Sequence, residues 1–199
     1  QGIFEIQAQK ELGIKVMKQL GFDFNKGRID ISAHPFCGGV PEDVRLTTRY
    51  DKKDFLQSLM GTIHETGHAL YEQNLPQDLL ALPVGQARSM GIHESQSLFF
   101  EMQIGRSAEF LKSIHPYITE SFGKKEELAL DNLIKIYSKV EASFIRVDSD
   151  EVTYASHVIL RYEIERALMN GEIETSDIPD MWNDKMQEAL GLNTKGNYK

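Results

Sequence analysis

Apolar positions recur at helical spacing along most of the chain. In FEIQAQKELGIKVMKQLG, residues 4–21, Ile6, Leu12, Val16 and Leu20 mark one helix face, and Gly21 stands where a left-handed stop belongs. No capping residue opens this helix, so the chain reads as entered in mid-structure. The period then changes to two: Ile29, Ile31 and Ala33 alternate with polar residues, as do Val44, Leu46 and Thr48. These segments predict two strands joined by the Pro- and Gly-rich loop between them. In the second strand Asp43, Arg45, Thr47 and Arg49 share the outward face.

From Asp51, a candidate N-cap, the helical period returns with Phe55, Leu56, Leu59, Met60, Ile63 and Leu70, and Pro76 closes it. Further helices are predicted over about 86–114, 124–145, 149–170 and 177–190. Asp148-x-x-Glu151 has the form of a capping box, and Gly171 and Gly191 the position of C-terminal stops. The expected fold class is mainly α, a helical core with a small antiparallel β element. No linker or repeat divides residues 1–199, so a single domain is expected.

Composition narrows the partners. With 22 basic against 30 acidic residues the net charge is -8, and the basic residues are scattered, which excludes a nucleic-acid or anionic-membrane binder. No apolar run reaches the roughly 18 to 20 residues that span a bilayer, and the N-terminus lacks the order of a signal peptide. The expected setting is cytoplasmic. The lone Cys37 forms no internal disulfide and reads as a loop cysteine with no special reactivity.

The predicted helix 51–75 carries His64-Glu65-Thr66-Gly67-His68. Residues i and i+4 stack on one face, so both imidazoles can address one ion, and Glu65, rotated by about 100°, can reach a water beside it. This chain's own His and Glu frequencies give roughly 0.02 chance occurrences of the spacing, so the motif needs supporting context. The row Leu56, Met60, His64, His68 borders the apolar row, which turns both histidines inward, where two unpartnered imidazoles would be costly. Two core histidines satisfied by other partners is the competing reading. Gly67 costs about 1 kcal/mol against Ala in a helix, and makes sense if backbone or ligand approaches closely. A hydrolytic site needs a third ligand. Glu94 of HESQ, reached by an antiparallel return, is the first candidate and His93 its rival, while Glu101 on the same face as Glu94 is placed to orient a ligand.

Five stretches, HPF (34–36), DVRLTT (43–48), HETGH (64–68), HESQ (93–96) and IRVDSD (145–150), occur in the order found in the carboxypeptidase Taq family, which the chain resembles. The resemblance implies a nearly all-helical metal-dependent carboxypeptidase with a small sheet beside its cleft. It implies His64, His68 and Glu94 as ligands of one divalent ion, zinc or else cobalt, with Glu65 as general acid/base. Arg146 would recognise the free C-terminal carboxylate of a peptide substrate, a role suited to a guanidinium fork; a plain surface arginine is the alternative. Asp43 and Arg45 would line the cleft with His34 at its lip, and a peptide would add along that strand.

Two departures stand out. Ser149 replaces the family's usual Ala, and the chain ends before the family's Gly-x-x-Gln-Asp-x-His-Trp segment, with the long N-terminal helical region also missing. The expectation is therefore a catalytic-core portion of a larger metallocarboxypeptidase. A catalytically incomplete metal-binding fragment, or an endopeptidase or aminopeptidase, stays open beside it. Self-association into a homodimer is a further open expectation, through apolar helix faces left uncovered.

Overall fold

The computed structural model describes residues 3–196, which divide into two compact units between Ile136 and Tyr137. In the first unit, helix α1 (Ile6–Leu20) ends at Gly21 in the left-handed conformation, φ 102°. Strands β1 (Gly27–Ile31), β2 (Phe36–Val40) and β3 (Asp43–Thr48) follow, then helices α2 (Phe55–Gln73), α3 (Met90–Leu98) and α4 (Ala108–Phe122). Helix α5 (Leu130–Tyr137) reaches the boundary between the units. None of the helices among the described residues is long and apolar enough to cross a membrane.

The sheet departs from a two-stranded hairpin. Its order is β1-β3-β2, with β1 parallel to β3 and β2 antiparallel to it. The loop expected between two strands itself supplies β2, because Gly39, at φ 117°, lets the chain turn tightly back onto Asp43. Cys37 consequently sits on a strand and not in a loop. The alternation of β3 holds, with Val44, Leu46 and Thr48 buried. In β1 only Ile29 is buried and Ile31 is exposed, since an edge strand five residues long covers little core. β3 is the central strand, paired along both edges, so a peptide cannot add along it as the sequence suggested.

Helix α2 organises the unit. It packs on α1, the sheet and α3, and is buried on most of its circumference. Met17, Phe22, Ile29, Val44, Leu46, Ala69 and Leu70 form one core cluster between α1, the sheet and α2. Its small buried hydroxyls satisfy themselves on the helix: Ser58 donates to Phe55 O, Thr62 to Ser58 O and Thr66 to Thr62 O, at 2.9, 2.8 and 2.6 Å. The N-cap is Asp54, not Asp51. Its carboxylate accepts from the amides of Leu56 and Gln57, while Asp51 accepts from Lys53 N in the turn before.

The helix expected over 86–114 is broken. After α3 the backbone widens into a π-helical segment, Phe99–Gly105, before α4 begins at Ala108 behind the Ser107 cap. The segment expected to be helical over 124–145 is α-helical only in α5, which follows a short 3-10 turn at Glu126–Leu128.

In the second unit α6 (Thr153–Met169) and α7 (Ile178–Leu190) pack around Leu160, Ile164 and Met186. The cap of α6 is Asp150, which accepts from Val152 N, Thr153 N and the Thr153 hydroxyl; the Asp148 and Glu151 pair does not form the box. Gly171 and Gly191 both take the expected positive φ, 70° and 69°.

Candidate metal centre

Gly67 brings the two elements of the site together. A methyl group built on it would lie 2.7 Å from Ser97 Cα and 2.9 Å from Gln96 O, so α2 and α3 meet backbone to backbone there. The contacts run in opposite directions, His64 to Glu101, His68 to His93 and Glu94, and Glu72 to His93, which makes the helices antiparallel.

At the crossing, ligand atoms of His64, His68 and Glu94 lie within 4.8 Å of one another, a grouping able to hold a metal ion. Glu94 Oε2 stands 3.6 Å from His64 Nε2 and 3.2 Å from His68 Nε2. Ligands about 2.05 Å from a tetrahedral zinc are about 3.3 Å apart, so these separations suit a tetrahedral ion, and two imidazoles with one carboxylate suit zinc or cobalt chemistry. The donor set therefore fits the divalent ion that the motif implies.

The other ring nitrogens are also held. His64 Nδ1 donates to Glu101 Oε2 at 2.9 Å, and Glu101 lies in the π-helical segment that follows α3. His68 Nδ1 meets His93 Nδ1 at 2.7 Å, and His93 Nε2 meets Glu72 Oε1 at 2.7 Å. With His68 carrying its proton on Nδ1 and His93 on Nε2, the chain His68, His93, Glu72 is fully satisfied and leaves the His68 Nε2 lone pair free. His93, the rival ligand, thus stands behind His68 and not in the ligand group. Glu72 was missed on the sequence, although it continues the row 64, 68, 72 at intervals of four.

The charges follow from this packing. Burial alone would lower the His64 pKa, but hydrogen bonds and charge from Glu101 and Glu94 raise it to about 10. Burial alone would raise that of Glu94, but the hydrogen bonds and charges of His64 and His68, with the Ser97 hydroxyl, hold it well below the carboxylate range. Glu65, 6% exposed, is pushed upward, chiefly by burial and against the pull of His64 and His68. A carboxyl whose pKa is raised by burial beside the ligand group is suited to proton exchange. The Cys37 thiol is driven up to about 12 by burial and by the charges of Glu65 and Glu72, which keeps it protonated and inert.

The remaining sequence candidates are placed elsewhere. Asp43 and Arg45 pair with each other on the exposed face of β3, Arg45 Nη2 donating to Asp43 Oδ2 at 2.6 Å and Nε at 3.0 Å. That bond and the Arg45 charge lower the Asp43 pKa. His34 is exposed in the turn before β2, its carbonyl accepting from the Thr47 hydroxyl at 3.0 Å. Arg146 belongs to the second unit, where it opens a short 3-10 turn, Arg146–Asp148, and donates to the Tyr154 hydroxyl.

Comparison with known proteins adds to this geometry. Residues 1–198 match the family described as Carboxypeptidase Taq (M32) metallopeptidase. The chain is 44% identical to Carboxypeptidase 1 of Bacillus subtilis over 191 residues, covering 95% of this chain and 38% of that protein. It is 41% identical to Thermostable carboxypeptidase 1 of Thermus thermophilus over 197 residues, 98% of this chain and again 38% of the relative. Among solved structures it is similar to Trypanosoma cruzi metallocarboxypeptidase 1, with a TM-score of 0.94 and 50% identity over 98% of this chain and 41% of that one. The chain thus spans about two fifths of the relatives it matches.

Proposed function

Because the chain belongs to the carboxypeptidase Taq (M32) metallopeptidase family, we propose that it is the metal-bearing core portion of a carboxypeptidase that releases the C-terminal residue of peptides. The observation that carries this reading is the convergence of His64, His68 and Glu94 beside the buried Glu65. His64 Nε2, His68 Nε2 and Glu94 Oε2 would hold the ion, zinc in the first instance and cobalt as the alternative. When bound, the ion supplies Lewis-acid activation of a water and of the scissile carbonyl. Glu101 and the His93–Glu72 pair keep the two imidazoles in the tautomer that offers Nε2 inward.

Glu65 accepts the proton given up by the attacking water and hands it to the departing amine. Its raised pKa narrows the gap between these two transfers. Arg146 supplies the cation for the substrate's free carboxylate and so restricts cleavage to the chain end. The Asp43–Arg45 face of the sheet and His34 complete the substrate surface. β2, whose outer edge pairs with no strand among the described residues, is the strand along which an extended peptide can add.

The test is metal analysis together with release of the last residue from an N-acylated dipeptide. Wild type and Glu65→Gln are expected to hold the same amount of metal, with hydrolysis lost in Glu65→Gln. His68→Ala retaining the ion, or equal cleavage of free and amidated C-termini, would overturn the reading.

A further inference from the structure

Among the described residues of the second unit, Arg146 and Arg161 form no ion pair with a carboxylate. On α6, Tyr154, His157 and Arg161 are spaced by three and four residues and share one face. His157 is fully buried. Its Nε2–H donates to Ser143 O at 3.0 Å, which leaves Nδ1 as an acceptor. Arg161 Nη1 donates to that nitrogen at 3.3 Å and to His157 O at 2.8 Å, and its guanidinium stacks 4.7 Å from the centre of the Trp182 ring. Arg146 donates to the Tyr154 hydroxyl and lies 5.4 Å from the centre of the same ring.

The two guanidiniums sense each other. Burial first, and then the charge of Arg146, lowers the pKa of Arg161, and His157 is lowered by burial and by both arginines against the pull of Ser143 O. His157 is therefore neutral near pH 7, as its acceptor role toward Arg161 requires. Among the described residues the polar partners of these arginines are Tyr154 and His157, and neither arginine forms an ion pair with a carboxylate. Two neighbouring cations held in place by neutral groups repel one another until an anion arrives. A carboxylate, with two oxygens and about four lone pairs, can accept from both forks at once.

We propose that Arg161 is the second cation of the substrate-carboxylate site, acting beside Arg146, and that His157 is the residue that positions it. This rests on the carboxypeptidase reading and extends it: the substrate's terminal carboxylate is gripped by two guanidiniums, not one. Arg161 is then a specificity residue contributed by the middle of α6, 15 positions beyond Arg146.

Trp182 is the only tryptophan of the chain and touches Arg161, so its emission reports on the site. The experiment titrates the chain with N-benzoylglycine, with N-benzoylglycinamide and with inorganic phosphate. The acid should bind at least tenfold more tightly than the amide. Arg161→Gln should abolish that ratio without weakening the amide, and Arg161→Lys, which keeps the charge but not the fork, should restore part of it. His157→Leu should reduce the ratio, and His157→Asn, which offers an oxygen near the place of Nδ1, should recover some of it. An unchanged ratio in Arg161→Gln with loss in Arg146→Gln overturns the proposal and leaves the carboxypeptidase reading standing. An unchanged ratio in both variants overturns the Arg146 role as well. Phosphate binding as tightly as the acid shows a general anion site and overturns the proposal, and so does a wild-type chain with no preference for acid over amide. Should Arg161→Gln not fold, Arg161→Lys decides, an unaltered ratio counting against the fork.

Discussion

Replacing Gly67 by alanine tests how the metal site is built. The added methyl would lie 2.7 Å from Ser97 Cα, 2.9 Å from Gln96 O and 3.1 Å from Phe100 Cβ, whereas ordinary contact begins at 3.4 Å, so α2 and α3 must separate by about 0.7 Å at the crossing. The two tightest contacts are backbone atoms and cannot rotate aside. Overpacking of this kind costs about 1–3 kcal/mol, offset by about 1 kcal/mol of helix propensity, which leaves a net loss of up to about 2 kcal/mol. The larger effect falls on the ion. Glu94 lies three residues from Ser97 on the helix that moves, and ligand distances tolerate only about 0.2 Å. Affinity for zinc should fall by at least about tenfold, the scale seen when ligand support is removed. Gly61→Ala is the internal control, because a methyl there meets only Pro35 Cγ at 3.9 Å on the same helix. It should raise stability by about 0.5–1 kcal/mol and leave zinc affinity unchanged. Urea unfolding and chelator competition measure both quantities. Gly67→Ala binding zinc like wild type, with the stability gain of Gly61→Ala, would refute the backbone-contact argument.

Removing the groups behind the ligands should weaken the site without emptying it. Glu101→Ala and His93→Phe are each expected to lower zinc affinity by about 10–100-fold, and a loss in His93→Phe as complete as in His68→Ala would make His93 a ligand. Zinc binding near pH 7 should release about one proton, because the His64 pKa is raised to about 10 in the metal-free chain and the ligand must be neutral. Affinity then rises with pH up to about 10, and calorimetry in buffers of different ionisation heat counts the proton; a count near zero would contradict the assigned pairing. Burial opposes but four hydrogen bonds, from Glu141 N, Thr153 N, the Thr153 hydroxyl and Val152 N, lower the pKa of Asp150. Its folded value lies below the unfolded one of about 3.9. Its contribution is thus present above that pH and lost as pH falls through the folded value, so Asp150→Asn should flatten the acid limb of the stability profile.

The residues of the site most legible on the sequence sit on one regular element, while Glu94 and Glu101 followed only from the face they share on the next helix. His64, Glu65 and His68 follow from the helical period of α2, and the close approach at Gly67 follows from a residue that a helix otherwise disfavours. The belonging of His93 behind His68 was not legible, because an angle of 100° from Glu94 describes where the side chain leaves α3 and not which ring it meets on α2. The sheet misled for a related reason. Alternation in β1 and β3 marks strands but carries no partner or direction, and the glycines that build β2 read equally as a loop. Side-chain capping was similarly displaced, from Asp51 to Asp54 and from Asp148 to Asp150, since several acidic residues stood within one turn of each start.

The π-helical turn at Phe99–Gly105 shows why the metal centre needs more than the His-Glu-x-x-His helix. On an unbroken α-helix Glu101, seven residues beyond Glu94, lies about 20° from it around the axis and about 10 Å along it, one turn beyond the span of a single imidazole if the helix stayed parallel to α2. Widening the backbone after Leu98 shifts the following residues, and Glu101 reaches His64 Nδ1 at 2.9 Å while Glu94 Oε2 faces its Nε2 at 3.6 Å. One imidazole is thus addressed from both sides by two carboxylates of the same chain segment. Arg106, at the end of that segment, donates to the other oxygen of Glu101 at 3.4 Å and holds it away from the His64, His68 and Glu94 group. Pinning of this sort suits a carboxylate that orients His64 in the proposed metal site and does not act as a fourth ligand, which would keep a coordination position open.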